Sequence, residues 1–186
     1  MKLTKLKTLL AGMLLLGASA TSNAAVIVGT GEISTGSEVD YWTITMDTAS
    51  NLVIDVLAQG FGGTYLDSYI YLYNPDVTGS LVASNDDYST SILTGGADGS
   101  YHSFDSYMDV SLSAGIYTLA IGDYYLSDAD ARDGYNTNSY GGVGNYQLTF
   151  TGAGLGNVAA SGVPEPTTLA LMGLGLIGLG FARRKA

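Results

Sequence analysis

Five oxygen-bearing side chains are spaced as metal ligands would be: Asp67, Asn85, Asp86, Asp87 and Asp105. Calcium takes six to eight oxygens from carboxylates, carbonyls and water, so clustered Asp and Asn are its natural partners. Asp67 precedes one predicted strand and Asn85-Asp86-Asp87 follows the next. A hairpin between those strands would bring the two ends together. Asp105, at the start of another strand, would complete the cluster, with Asp98 and Asp109 nearby in sequence. The bland alternative is that these acids only solvate loops.

Residues 128–134, Asp-Ala-Asp-Ala-Arg-Asp-Gly, imitate a calcium loop imperfectly. An EF-hand has acids at positions 1, 3 and 5, glycine at 6 and glutamate at 12. Here Arg132 stands at 5, Gly134 comes one position late, and Ser139 stands at 12. A looser cation site is the most this segment offers. The tyrosines carry a different chemistry, since a rigid ring with a hydroxyl suits the face of a sugar. Tyr124, Tyr125, Tyr135 and Tyr140 fall in a long polar segment, and Tyr69, Tyr71 and Tyr73 share one strand face. Aromatic packing across a sheet explains the strand tyrosines equally well.

Catalysis has little to stand on. His102 is the sole histidine, there is no cysteine, and no Gly-x-Ser-x-Gly occurs. A glycosidase-like pair among so many acids is not singled out by any spacing.

Charge is unevenly distributed. Of 17 acids only Glu165 lies near the C-terminus, so 16 fall between residues 25 and 163, against Arg132 as the one base there. Phosphate recognition needs Lys and Arg, so nucleic acid is excluded as a partner and cations are invited. Without cysteine, no disulfide offsets the self-repulsion.

The elements that must position these groups are strands. Trp42, Ile44 and Met46 alternate with Tyr41, Thr43 and Thr45; Leu52, Ile54 and Val56 share a face opposite Asp55. Ile70 and Leu72 oppose the three strand tyrosines. Met108, Val110 and Leu112 alternate with polar residues, and Tyr117, Leu119, Ile121 and Tyr146, Leu148, Phe150 repeat the period. Ser50-Asn51, Asn74-Pro75-Asp76 and Ser113-Ala114-Gly115 break these runs, the last as a tight hairpin. No 3.6-residue apolar stripe is evident. The pattern predicts an antiparallel, jelly-roll-like β-sandwich over residues 25–151, with a linker at 152–162. Residues 122–144 have no strand pattern, and loops of that length are usually functional or disordered.

Both termini read as addresses. Lys2, Lys5 and Lys7, an apolar core, and Ser22-Asn23-Ala24 make residues 1–24 a signal peptide cut after Ala24, with Ala20 as second choice. At the other end Pro164-Glu165-Pro166 precedes an uncharged run, residues 167–182, and then Arg183-Arg184-Lys185. As a helix that run rises about 24 Å, slightly less than the hydrocarbon core, with the basic cluster cytoplasmic.

This three-part tail, residues 163–186, resembles the PEP-CTERM sorting signal of Gram-negative bacteria. The resemblance implies recognition by an exosortase, a cysteine-protease-like membrane enzyme. It also implies transient anchoring by the C-terminal helix and delivery to the envelope or exopolysaccharide matrix. In that setting Pro164, Glu165, Pro166, Arg183 and Arg184 are processing signals. Roughly residues 30–151 resemble the bacterial pre-peptidase C-terminal domain, through Asp40-Tyr41-Trp42-Thr43-Ile44 and Leu66-Asp67-Ser68-Tyr69-Ile70-Tyr71-Leu72-Tyr73-Asn74-Pro75-Asp76. Leu81-Val82-Ala83-Ser84-Asn85-Asp86-Asp87, Leu112-Ser113-Ala114-Gly115-Ile116-Tyr117-Thr118-Leu119 and Gly144-Asn145-Tyr146-Gln147-Leu148 follow in order. Such domains are non-catalytic sandwiches, and several bind calcium. The expected function is therefore an exported, calcium-stabilised structural or adhesive component, with a carbohydrate-binding module as the alternative and extracellular polysaccharide as partner.

Overall fold

The computed structural model describes residues 23–87 and 102–161. Residues 1–22 of the expected signal peptide, the sorting tail with its apolar run, and Asp98 lie outside the described residues.

Among the described residues, nine strands form two antiparallel sheets. In chain order they are β1 (Ala25–Ile33), β2 (Asp40–Met46), β3 (Ser50–Leu57), β4 (Ser68–Asn74), β5 (Ser80–Asn85), β6 (Tyr107–Leu112), β7 (Gly115–Asp123), β8 (Gly144–Gly152) and β9 (Leu155–Ser161). One sheet runs β1-β8-β3-β6 and the other β5-β4-β7-β2-β9. Strands 1 to 8 are in jelly-roll order, and β9 is added outside β2.

The alternating apolar positions meet between the sheets. Ile33, Trp42, Ile44, Leu52, Ile54, Val56, Ile70, Leu72, Leu119, Leu148 and Phe150 belong to this core. Polar partners of the same strands face outward, as a period of two requires. Trp42 and Tyr146 reach the core by lying against β1, where a Cβ on Gly29 would come 2.4 Å from the Trp42 ring and one on Gly31 2.3 Å from the Tyr146 hydroxyl. Trp42 Nε1 donates to the Tyr146 hydroxyl at 3.1 Å, which donates to Asp40 at 2.6 Å.

Three expectations need correction. Ser113-Ala114 is no hairpin turn within a sheet: β6 and β7 belong to opposite sheets, so the chain arches across the sandwich there. Among the described residues, β4 and β5 are the sequential strands that pair with each other.

The supposed linker 152–162 is mostly strand. β9 pairs with β2, with Ser161 opposite Tyr41 and Leu155 opposite Met46. The register shifts between Thr45 and Met46, opposite Gly156, so Leu155 and Val158 both turn inward despite odd spacing. A bulge of this kind erases the period-two signature.

Residues 122–144 contain a helix, α1 (Asp128–Asp133). Ser127 caps it by accepting from the Asp130 amide at 3.1 Å, and Gly134, at φ 76°, closes it. This segment covers the outer face of the five-stranded sheet. Leu126 and Ala131 pack there with Val39, Tyr41, Tyr71, Tyr73 and Val77 as a second, smaller core.

Candidate functional site

The antiparallel pairing of β4 with β5 places Ile70 opposite Asn85. Asp67, just before β4, therefore meets Asn85-Asp86-Asp87 at one end of the sandwich. Asp67 is the electrostatic centre of this end. Burial, then the charges of Asp87, Asp86 and Asp123, push its carboxyl up to about 6, with partial relief from His102. Its Oδ1 is buried and has no hydrogen-bond partner among the described residues. Burial and then the Asp86 charge also raise Asp87.

The other two predicted ligands are employed differently. Asn85 Oδ1 accepts from the Tyr107 amide at 2.9 Å, tying β5 to β6. Asp105 Oδ1 accepts from the amides of Ala58 and Gln59 at 2.9 and 2.8 Å, closing the end of β3. Ser106 and Ser68 join the strands beneath, with Ser106 Oγ donating to the Ser68 carbonyl at 2.6 Å. Among the described residues no three His, Cys, Asp or Glu side chains form a ready-made metal site. A cation here would take Asp67 and an Asp86 or Asp87 carboxylate, with carbonyls and water supplying the remaining oxygens.

Beside Asp67 lies a cleft of about 130 Å³, lined by Tyr65, Asp67, Asp123, Tyr124, Tyr125, Tyr140 and Gly142. The Tyr124 and Tyr125 rings meet edge-on at 4.7 Å, and Tyr125 and Tyr140 lie 5.7 Å apart. Tyr140 is 87% exposed and Tyr65 76%. Three of the four loop tyrosines thus converge. Tyr135 is exposed but does not line the cleft. Tyr65, which sequence reading missed, joins through the bridge between Gln59 and Tyr65. The glycine-rich approach Phe61-Gly62-Gly63 was its only signal. Two of the three strand tyrosines are employed inside the fold: Tyr71 and Tyr73 are buried beneath the insert, donating to the Leu126 carbonyl and to Asp128, both at 2.8 Å, while Tyr69 is half-buried and stacks on Tyr71.

Two aspartates hold the cleft wall in shape. Asp123, 2% exposed, accepts from the Asn136 amide group, the Tyr125 amide at 3.2 Å, Ser139 at 2.7 Å and the Gly142 amide at 3.2 Å. Asp130 accepts from Ser127, Thr137 and Asn138. Burial pushes the Asp130 carboxyl up, but these bonds outweigh it and hold the carboxyl below its ordinary value. In the calcium-like segment 128–134, Asp128 and Asp130 thus already have protein donors, Asp128 from Arg132 and Tyr73 and Asp130 from its neighbours in the insert.

The chain continues from Ser161 straight into a recognisable segment. Residues 162–185 match the PEP-CTERM protein-sorting motif. A PEP-CTERM tail implies export, a C-terminal membrane anchor before processing, and sorting by an exosortase. No curated protein matches the chain. Among solved structures, the pre-peptidase C-terminal domain of a Bacillus anthracis collagenase is similar at 17% identity and a TM-score of 0.41. The alignment covers 67% of this chain and 87% of that one. The PEP-CTERM segment begins one residue after β9, so sandwich and tail are effectively contiguous.

Proposed function

We propose that this chain is a non-catalytic β-sandwich delivered by an exosortase to the envelope or extracellular matrix of a Gram-negative bacterium. There it serves as a structural or adhesive component, and its acidic end is stabilised by calcium. The observation that carries the sorting part is the PEP-CTERM match at residues 162–185. Support for calcium comes from Asp67, whose buried Oδ1 has no hydrogen-bond partner among the described residues and whose carboxyl is raised by burial and then by the charges of Asp87 and Asp86. A divalent cation would answer both features, since it supplies positive charge to an oxygen that burial leaves unsolvated.

The non-catalytic reading is supported by how the buried acids are used. Asp105, Asp123 and Asp130 each accept hydrogen bonds that shape loops. His102 Nδ1 accepts from the Phe104 amide at 3.3 Å, a local turn contact.

A second reading is favoured by one observation, the convergence of Tyr124, Tyr125 and Tyr140 with Tyr65 on a single cleft. Contact with extracellular polysaccharide would use these rings as a stacking surface.

Intact mass of the protein from its own host tests the sorting claim. The mature form should begin near Ala25 and lack the segment after Pro164-Glu165-Pro166. Persistence of the whole tail beside an active exosortase would make it a plain anchor. A glycan array probed with residues 25–163 separates the structural reading from the glycan-binding one.

A further inference from the structure

The register of the five-stranded sheet shows where the chain leaves the sandwich. Ser161, the last residue of β9, lies opposite Tyr41; Tyr41 lies opposite Ala120, and Ala120 opposite Tyr71. Beyond this row β7 continues for three residues to Asp123, opposite Ser68. The exit therefore lies at the end that carries Asp67, the Asn85-Asp86-Asp87 segment and the tyrosine cleft. Ala25 and Gly152 pair at the opposite end.

Chain length turns this into a distance limit. β7 overshoots Ser161 by about 10 Å along the strand and stands two strands away, also about 10 Å. The uncharged run begins at Thr167, six steps after Ser161. Six steps reach at most about 20 Å. Roughly half of that reach only clears the tip of β7, and Tyr124 and Tyr140 belong to the insert that follows that tip. What remains is a gap of about 10 Å, the diameter of one helix with its side chains. The acids of this end do not favour lipid contact, but screening confines that repulsion to a similar distance. The tether, not adhesion, sets the orientation.

We propose that the uncut tail holds the cleft-bearing end of the sandwich against the membrane, so that exosortase processing opens the cleft to large ligands. This rests on the reading of that end as the working end, but the geometry is testable without any ligand.

The chain has no cysteine, so single cysteines report access directly. Tyr140→Cys marks the cleft. Ala153→Cys, exposed in the turn between β8 and β9, marks the far end. Each is introduced into the full chain in lipid vesicles and treated with a bulky maleimide-polyethylene glycol. A matched chain carries about twenty Gly/Ser residues after Ser161, adding about 25 Å of reach. The expected result is that Tyr140→Cys labels several-fold more slowly in the natural chain than in the spacer chain, while Ala153→Cys labels equally in both. Equal rates at Tyr140→Cys, or equal slowing at both cysteines, would overturn the proposal. Failure of calcium or glycan binding in the tail-free protein would instead count against the function and leave this geometry standing.

Discussion

The guanidinium carbon of Arg132 sits 4.5 Å from the centre of the Tyr73 ring. The same group donates to the carbonyls of Val77 and Gly79 at 2.6 and 2.9 Å, and its Nε pairs with Asp128 at 3.1 Å. The one base between residues 25 and 163 is thus spent inside the fold, clamping α1 to the β4–β5 turn. Arg132→Ala should cost about 2 kcal/mol, because charge-assisted bonds and a cation–π contact go together. Arg132→Lys should recover little, since an ammonium lacks the planar fork that meets two carbonyls and a ring. Chemical denaturation of the three proteins measures this.

Asp123→Ala should loosen the insert without unfolding the sandwich. Four donors lose their acceptor, at least two of them backbone amides. The expected cost is about 2–3 kcal/mol. Amide hydrogen exchange should accelerate across residues 124–143 and change little in β3 and β8, whose core residues are shared with both sheets.

The core was the most legible part of the sequence, because Leu52-x-Ile54-x-Val56 or Tyr146-x-Leu148-x-Phe150 leaves one arrangement for a two-sheet protein. β9 was illegible because the bulge at Gly156 puts Leu155 and Val158 on one face at a spacing of three. Helix α1 was hidden by its length: six residues cannot display a 3.6 period, although Ser127, Asp128, Asp130 and Gly134 spell its caps. The meeting of Asp67 with Asp86 and Asp87 followed from hairpin logic. The diversion of Asp105 to the β3 end did not, because nothing in the sequence shows that Asp105 turns to the β3 amides while its immediate neighbour Ser106 faces Ser68.

Gly29→Ala should disturb the sole tryptophan. A Cβ there would lie 2.4 Å from the Trp42 ring, so the ring or the β1 strand must shift to admit it. A loss of about 1–3 kcal/mol and a shift of Trp42 fluorescence are expected. Gly63→Ala is an informative contrast: its Cβ meets nothing within 4 Å, so any loss there reflects only its φ of 80°.

Asp67 makes stability depend on pH with a defined sign. Its folded carboxyl is raised from an ordinary 3.8 to about 6. Between those values the folded state holds a proton that the unfolded state has released, so stability falls as pH rises through the window. Above about 6 the cost is fully present; below 3.8 it vanishes. With chelator present, Asp67→Asn should therefore raise stability at pH 7 by roughly 1–2 kcal/mol, the side chain's partial exposure discounting the full shift. At pH 4 it should change little. Greater stabilisation at pH 4 than at pH 7 would contradict the assignment.

Calcium-dependent melting tests the central claim about this end most directly. Binding to the folded state alone stabilises by roughly 2.7 kcal/mol at a hundredfold excess over Kd. Extracellular sites typically bind at about 10⁻⁴ to 10⁻³ M. Millimolar calcium should therefore raise the melting temperature of residues 25–163 by several degrees. Asp67→Ala and Asp86→Ala should each remove most of that rise, while Glu32→Ala, exposed on β1, should leave it. An equal rise with monovalent salt at matched ionic strength would show that the acids are only screened, and would contradict the claim.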